Sequence, residues 1–189
     1  MADQGTLGGR NDMMQASNAP SLIAQTSSVE PIAFELLESK VVRIGVDCWT
    51  KHRRGRRFPA RHDIQPRELA GALRNMILLR VIDSGVDFEN RIVGDAQVRA
   101  FAIPLQRRRF SEVAADAPVF GFVVGGLLEG VVQKREPVAI RGRVGRDIPQ
   151  ANFTDTESAI LPLGATDDAV DHIAVFSSYV MRGTSTYSM

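Results

Sequence analysis

Two β-rich stretches stand far apart in this chain with a helical segment between them, and that interruption limits the folds open to it. In the first stretch, MILLRVID reads as a buried strand over 76–83 and Ser84-Gly85 as a turn. VDFENRIVG over 86–94 is then the hairpin partner, with Phe88, Asn90 and Ile92 alternating. In the second stretch a strand begins at Pro137, with Arg141 and Arg143 facing outward. Two more strands, 158–163 and 170–180, are joined by the polar turn Gly164 to Asp168. Between the stretches Phe120, Val124, Leu127 and Val131 recur at helical spacing across 117–134. A hairpin, a helical insert and a closing meander predict an α+β domain on one antiparallel sheet, with short helices on one face.

The segments before the hairpin read as helical. VEPIAFELLE at 29–38 offers a helix start at Pro31. Val42, Val46 and Trp49 then stand at i, i+4 and i+7, predicting an N-terminal flanking helix over 39–54 that ends near Gly55. Pro66 suits a first helical position, with Glu68 placed for half a capping box, so a short helix is expected over 66–74. Asp95 is placed to cap another short helix containing Val98 and Phe101, ended by Pro104.

The chain has 189 residues, 44% apolar and 24% charged, which is globular material for one main domain. The expected division is a disordered tail at 1–28, a flanking helical segment at 29–56, the domain at 57–181 and a C-terminal tail at 182–189. The N-terminal stretch lacks a signal-peptide layout. The longest apolar run, GFVVGGLLEGVV, is too short for a membrane span and holds Glu129. Cys48 is the single cysteine, so no disulfide frame exists, and a cytoplasmic protein is expected.

The chain has no obvious catalytic constellation. His52, His62 and His172 are scattered and form no H-x-H or H-E-x-x-H pattern, so neither a metal site nor a catalytic role is expected, and all three read as surface histidines. Pairing of His172 with Asp171 is discounted because neighbours on a strand point to opposite faces. Cys48 reads as a small packed hydrophobe. Gly125, Gly126 and Gly130 make no phosphate loop. The chain is therefore not expected to be an enzyme.

The stretch TKHRRGRRFPARHD puts Lys51, Arg53, Arg54, Arg56, Arg57 and Arg61 within eleven residues, without an acid among them. Subtracting those six cations from the formal net charge of +1 leaves about −5 elsewhere, so the basic character is local. A helix C-terminus favours such cations through its dipole. Arginine forks also suit carboxylates and phosphates, making Arg53, Arg54, Arg56 and Arg57 candidates for a partner or an anionic ligand. Nucleic acid is the less favoured partner, since no reading helix or stacking ladder accompanies the run.

From Trp49 onward, Trp49, Arg54-Gly55, Pro59, Arg61, Asp63-Ile64, Pro66 and Glu68-Leu69 together resemble the opening motif of an alphaproteobacterial PAS-domain family. That family opens with W, a spacer, then R-G-x-x-x-P-x-R-x-D-I-D-P-x-E-L. Leu78-Leu79-Arg80-Val81, Phe88 with Arg91 to Gly94, and Glu157 through Leu161-Pro162-Leu163 match later segments, and the likeness spans roughly 39–180. Gln65 replaces the usual aspartate, Asp95 a usual threonine, and Phe101 to Arg107 lacks the family's F-G-x-D-L-T-G, with Pro104 in its midst.

The resemblance implies a PAS-like fold in which Trp49, Gly55, Pro59, Arg61, Asp63 and Pro66 are structural, with Arg61 and Asp63 paired. It also implies a ligand cavity beside Phe101, Phe120, Phe122 and Leu127. A haem or flavin is not expected, because neither an axial histidine nor a reactive cysteine stands between Gly94 and Glu136. The implied function is a stand-alone sensory or adaptor protein acting through a small molecule, a protein partner or a homodimer built on the N-terminal helix. The alternative is nucleic-acid or anionic second-messenger binding through 51–61.

Overall fold

The computed structural model describes residues 29–146 and 148–183. The expected tail at 1–28, and positions 184–189 of the expected C-terminal tail, lie outside the described residues. Six strands, β1 (Val29–Ile32), β2 (Met76–Ile82), β3 (Asp87–Val93), β4 (Val138–Gly142), β5 (Phe153–Leu163) and β6 (His172–Met181), form one sheet. Its order is β1-β4-β5-β6-β2-β3, and every neighbouring pair is antiparallel. Among the described residues four α-helices accompany it: α1 (Lys40–Arg53), α2 (Asp95–Ala100), α3 (Phe110–Asp116) and α4 (Pro118–Lys134). This is the α+β architecture on one antiparallel sheet that the order of elements predicts, and the PAS-like fold that the resemblance implies.

The topology explains why the strands are split in sequence. The hairpin β2–β3 docks beside β6, the last strand, while the meander β4–β5–β6 supplies the other half. The chain leaving β3 at one edge must therefore reach β4 on the far side of β6, and α2, α3 and α4 make that crossing. Helices α3 and α4 lie close because Gly121 and Gly125 leave room for Ala114 and the Phe110 ring.

Strand alternation divides the core into two layers. On one face Met76, Leu78, Leu161, Leu163, Ala174 and Phe176 meet Gly45 and Trp49 of α1. On the other, Ile77, Leu79, Ile160 and Val175 meet side chains of α2 and α4. Strand β5 is consequently buried from Thr156 through Leu163 without a solvent-facing residue. Covered on both faces, it loses the polar alternation of a half-exposed strand.

Several local expectations are corrected. Val29–Ile32 is an edge strand paired with β4 rather than a helix begun at Pro31. An edge tolerates Pro31, which has no N–H to donate to a ladder. Residues 66–74 form two short 3-10 turns, Pro66–Leu69 and Leu73–Asn75, in place of one helix. Gly94, not Asp95, stands at the N-cap of α2, and Phe101 follows its last turn. Helix α3, Phe110–Asp116, precedes the helix expected over 117–134 and was not expected. Arg141 does not face outward alone: its guanidinium donates to Glu157 Oε2 at 2.7 Å and to Leu36 O at 2.7 Å.

Candidate functional site

The layer between the sheet and α2–α4 encloses a cavity of about 90 Å³. Its walls follow from the strand period: Ile77 and Leu79 from β2, Ser158 and Ile160 from β5, and Val175, Ser177 and Tyr179 from β6 share one face. Phe101 organises the aromatic side, its ring centroid 5.0 Å from Phe120, 5.3 Å from Phe153 and 6.0 Å from Tyr179, all edge-on. Phe101, Phe120 and Leu127 all line the cavity. Phe122 does not. It is 52% exposed, because it sits on the solvent side of α4 near Val86 and Glu129.

Among the described residues few polar groups line the cavity, and none of them carries a charge. Tyr179 Oη donates to Gln97 Oε1, and Gln97 Nε2 donates to Asn75 O at 2.6 Å. Asn75 Nδ2 donates in turn to Ser177 O at 2.8 Å, tying α2 to β6. Ser158 Oγ donates to Ser177 Oγ at 2.8 Å. Burial pushes the Tyr179 phenol far above its ordinary value, so it stays a neutral donor. Such walls suit a neutral molecule of a few heavy atoms with one polar end, since drug-sized sites run to about 300–1,000 Å³.

A larger concavity of about 800 Å³ is an open groove that adjoins the cavity at Val29, Thr156 and Tyr179. Most of its charges are already paired with one another. Glu157 accepts from Ser39 N at 2.7 Å, Glu38 N at 3.0 Å and Arg141. Burial acts to raise the Glu157 carboxyl, but these donors hold it below its usual value. Size alone favours this groove; its internal pairing makes it a clasp for the segment before α1.

The family-like motif is structural at most positions. Trp49 is 4% exposed and its Nε1–H donates to Pro162 O at 2.7 Å. Arg54 and Gly55, with φ of 48° and 83°, turn the chain out of α1. Pro59 O accepts Gly164 N at 3.0 Å. Asp63 Oδ2 accepts Ala60 N at 2.9 Å. Pro66 opens the first 3-10 turn. Arg61 is the exception: among the described residues it makes no ion pair, and Arg56, at 4.0 Å, takes the place beside Asp63.

The basic run divides differently from its appearance in sequence. Arg56 is only half-exposed; it donates to Gly164 O at 2.9 Å and to Asp167 Oδ1 at 3.3 Å, so it is not free for a partner. Arg53 lies 5.6 Å over the Trp49 ring. Arg53, Arg54 and Arg57 are exposed and form no ion pair among the described residues.

Two histidines depart from the surface reading. His172 Nδ1 lies 2.7 Å from Asp171 Oδ1, possible because Asp171 precedes β6 and is not bound by its alternation. His52 is 9% exposed, with Nε2 2.7 Å from Glu68 Oε2, while Nδ1 is buried without a partner. Its neighbours were not expected to form a group. Cys48, His52 and Glu68 each place a ligand-type atom within 4.8 Å of the others. The sequence signal was a cysteine and a histidine four residues apart on a helix. Burial, with Glu68 nearby, pushes the Cys48 thiol up. Donation from Lys51 and His52 holds Glu68 down at about 2.

A single antiparallel sheet carrying helices over a small apolar cavity defines an α+β domain of PAS-like fold. The PAS domain family model matches residues 39–174, and the chain belongs to that family. No curated protein and no solved structure matches the chain. Membership points to a sensory or signalling role, and PAS domains are generally sensory rather than catalytic. Among the described residues, no helix is long and apolar enough to cross a membrane.

Proposed function

We propose that this protein is a stand-alone sensory or adaptor module that binds a small neutral ligand and signals through protein contacts, without catalysis of its own. The observation that carries this reading is the cavity lined by Phe101, Phe120 and Leu127, whose polar wall is the neutral Gln97–Tyr179 pair. Occupancy would favour one packing of α2–α4 on the sheet, a population shift read out at the surface. The core at 57–181 and the flank at 29–56 act as one unit in this reading, because α1 is packed on β5 and β6. The opening motif from Trp49 to Leu69 supports the narrower placement among alphaproteobacterial members, and a cytoplasmic setting fits that placement.

A homodimer through α1 would use its outward residues, Arg43, Asp47 and Thr50, since its apolar stripe faces the sheet. A second reading, docking of an anionic second messenger or nucleic acid, is favoured by the exposure of Arg53, Arg54 and Arg57. Native mass spectrometry of protein purified from its own host tests both. A bound small molecule that is lost in Leu127→Trp supports the first reading. Ligand-free protein that gains stability with no member of a neutral metabolite panel overturns it. Salt-sensitive polyanion binding abolished by Arg53→Glu, Arg54→Glu and Arg57→Glu together establishes the second.

A further inference from the structure

We propose that Cys48, His52 and Glu68 form a binding site for zinc or a similar divalent metal ion, pinning the end of α1 to the turn Pro66–Leu69. Cys48 and His52 stand one helical turn apart on the buried side of α1 and are 7% and 9% exposed. Glu68 approaches from the facing 3-10 turn with its side chain 25% exposed. Thiolate, imidazole and carboxylate are the three ligand types that zinc accepts together.

The spacing fits with small adjustments. Tetrahedral zinc, with metal–ligand distances of about 2.0–2.3 Å, separates its ligand atoms by about 3.4–3.6 Å. The three groups lie within 4.8 Å of one another, and the His52–Glu68 contact of 2.7 Å needs to open by less than an ångström. Lys51, whose ammonium lies 2.5 Å from Glu68 Oε1, is 68% exposed and free to swing into solvent. Water or an outside donor completes the fourth position.

His52 presents Nε2 to Glu68 and keeps Nδ1 in the interior. Its Nδ1 is buried and has no hydrogen-bond partner, an uncommon condition for a polar atom more than nine-tenths covered. A neutral ring that donates Nε2–H to Glu68 leaves a bare nitrogen lone pair in the protein interior. With Nε2 on the metal, the ring proton moves to Nδ1 and the ion takes the place of the His52–Glu68 bond. Binding releases the Cys48 thiol proton to solvent, and the charge left on sulfur is neutralised by the cation.

The test is titration of chelator-treated full-length protein with Co(II), followed by displacement with Zn(II). Expected are one saturating equivalent, a thiolate-to-cobalt charge-transfer band with tetrahedral visible bands, and a higher melting temperature in zinc than in chelator. Cys48→Ser is expected to lose the charge-transfer band and weaken zinc binding at least about tenfold. Glu68→Gln lies on a partly exposed turn and keeps the fold if the cysteine variant does not; it is expected to weaken zinc to a similar degree. His62→Ala and His172→Ala leave binding unchanged. Absence of the band, its survival in Cys48→Ser, unchanged affinity in Glu68→Gln, or loss of binding in the His62 or His172 variants overturns the site.

Discussion

Replacing Gly45 by alanine sets two effects against each other. Helix propensity alone predicts a gain of about 1 kcal/mol, because glycine in a helix interior is the less stable residue. Gly45, however, faces the Phe176 ring, and an added Cβ would stand 2.4 Å from two of its carbons. Phe176 is 2% exposed and enclosed by the core, so the ring has nowhere to retreat. Overpacking of this kind costs about 1–3 kcal/mol, and so close an approach belongs near the upper end. The net expectation is a loss of about 1–2 kcal/mol, or roughly 2–8 °C in melting temperature.

Gly126→Ala is the matched comparison. Gly126 is exposed on α4, and its added Cβ meets nothing within 4 Å, so only the propensity gain remains. Urea unfolding monitored by circular dichroism is expected to lower the midpoint for Gly45→Ala and raise it for Gly126→Ala, with the slope unchanged in both. A midpoint raised equally in both refutes the packing of α1 on the sheet.

Trp49→Phe keeps most of the ring but leaves Pro162 O buried without its donor; a loss of about 1–3 kcal/mol is expected by the same urea assay, and a neutral result rejects that role for the indole N–H. Arg56→Ala is expected to cost about 1–2 kcal/mol by freeing Gly164 O, whereas Arg57→Ala should stay within about 0.5 kcal/mol, and equal effects would erase the distinction between them. Glu157 has a folded value below its ordinary one, so its contribution is present above the unfolded carboxyl range and is lost as pH falls through the folded value. Below about pH 4.3 the wild-type urea midpoint should fall more steeply than that of Glu157→Gln, which starts lower at neutral pH; parallel profiles argue against the clasp.

The parts of the fold legible in sequence are those whose signal is local. The apolar run at 76–82 and the alternation of Phe88 and Asn90 mark strands, and the spacing of Val42 and Trp49 marks α1, because each of these signals lies in neighbouring residues. The family resemblance, not periodicity, points to Phe101, Phe120 and Leu127, which line the cavity. It misplaces Phe122, since α4 is apolar nearly all round and its pattern does not say which apolar side meets solvent. Local signal misses β1, whose four residues pair with β4 more than a hundred positions away.

The order and type of the longer elements, and the family-like motif, are thus set along the chain itself, by steric preference and periodicity. Three matters belong to tertiary structure. Arg56 is taken by Gly164, 108 residues distant, and Trp49 by Pro162, 113 distant, so nothing near them in sequence separates an anchoring side chain from a free one. Likewise, Cys48 and His52 share a helix face by spacing, but only the return of the chain at Pro66–Leu69 brings Glu68 against them. Partners of this kind are chosen by how sheet and helices close around a common core, and local propensity carries no record of that closure.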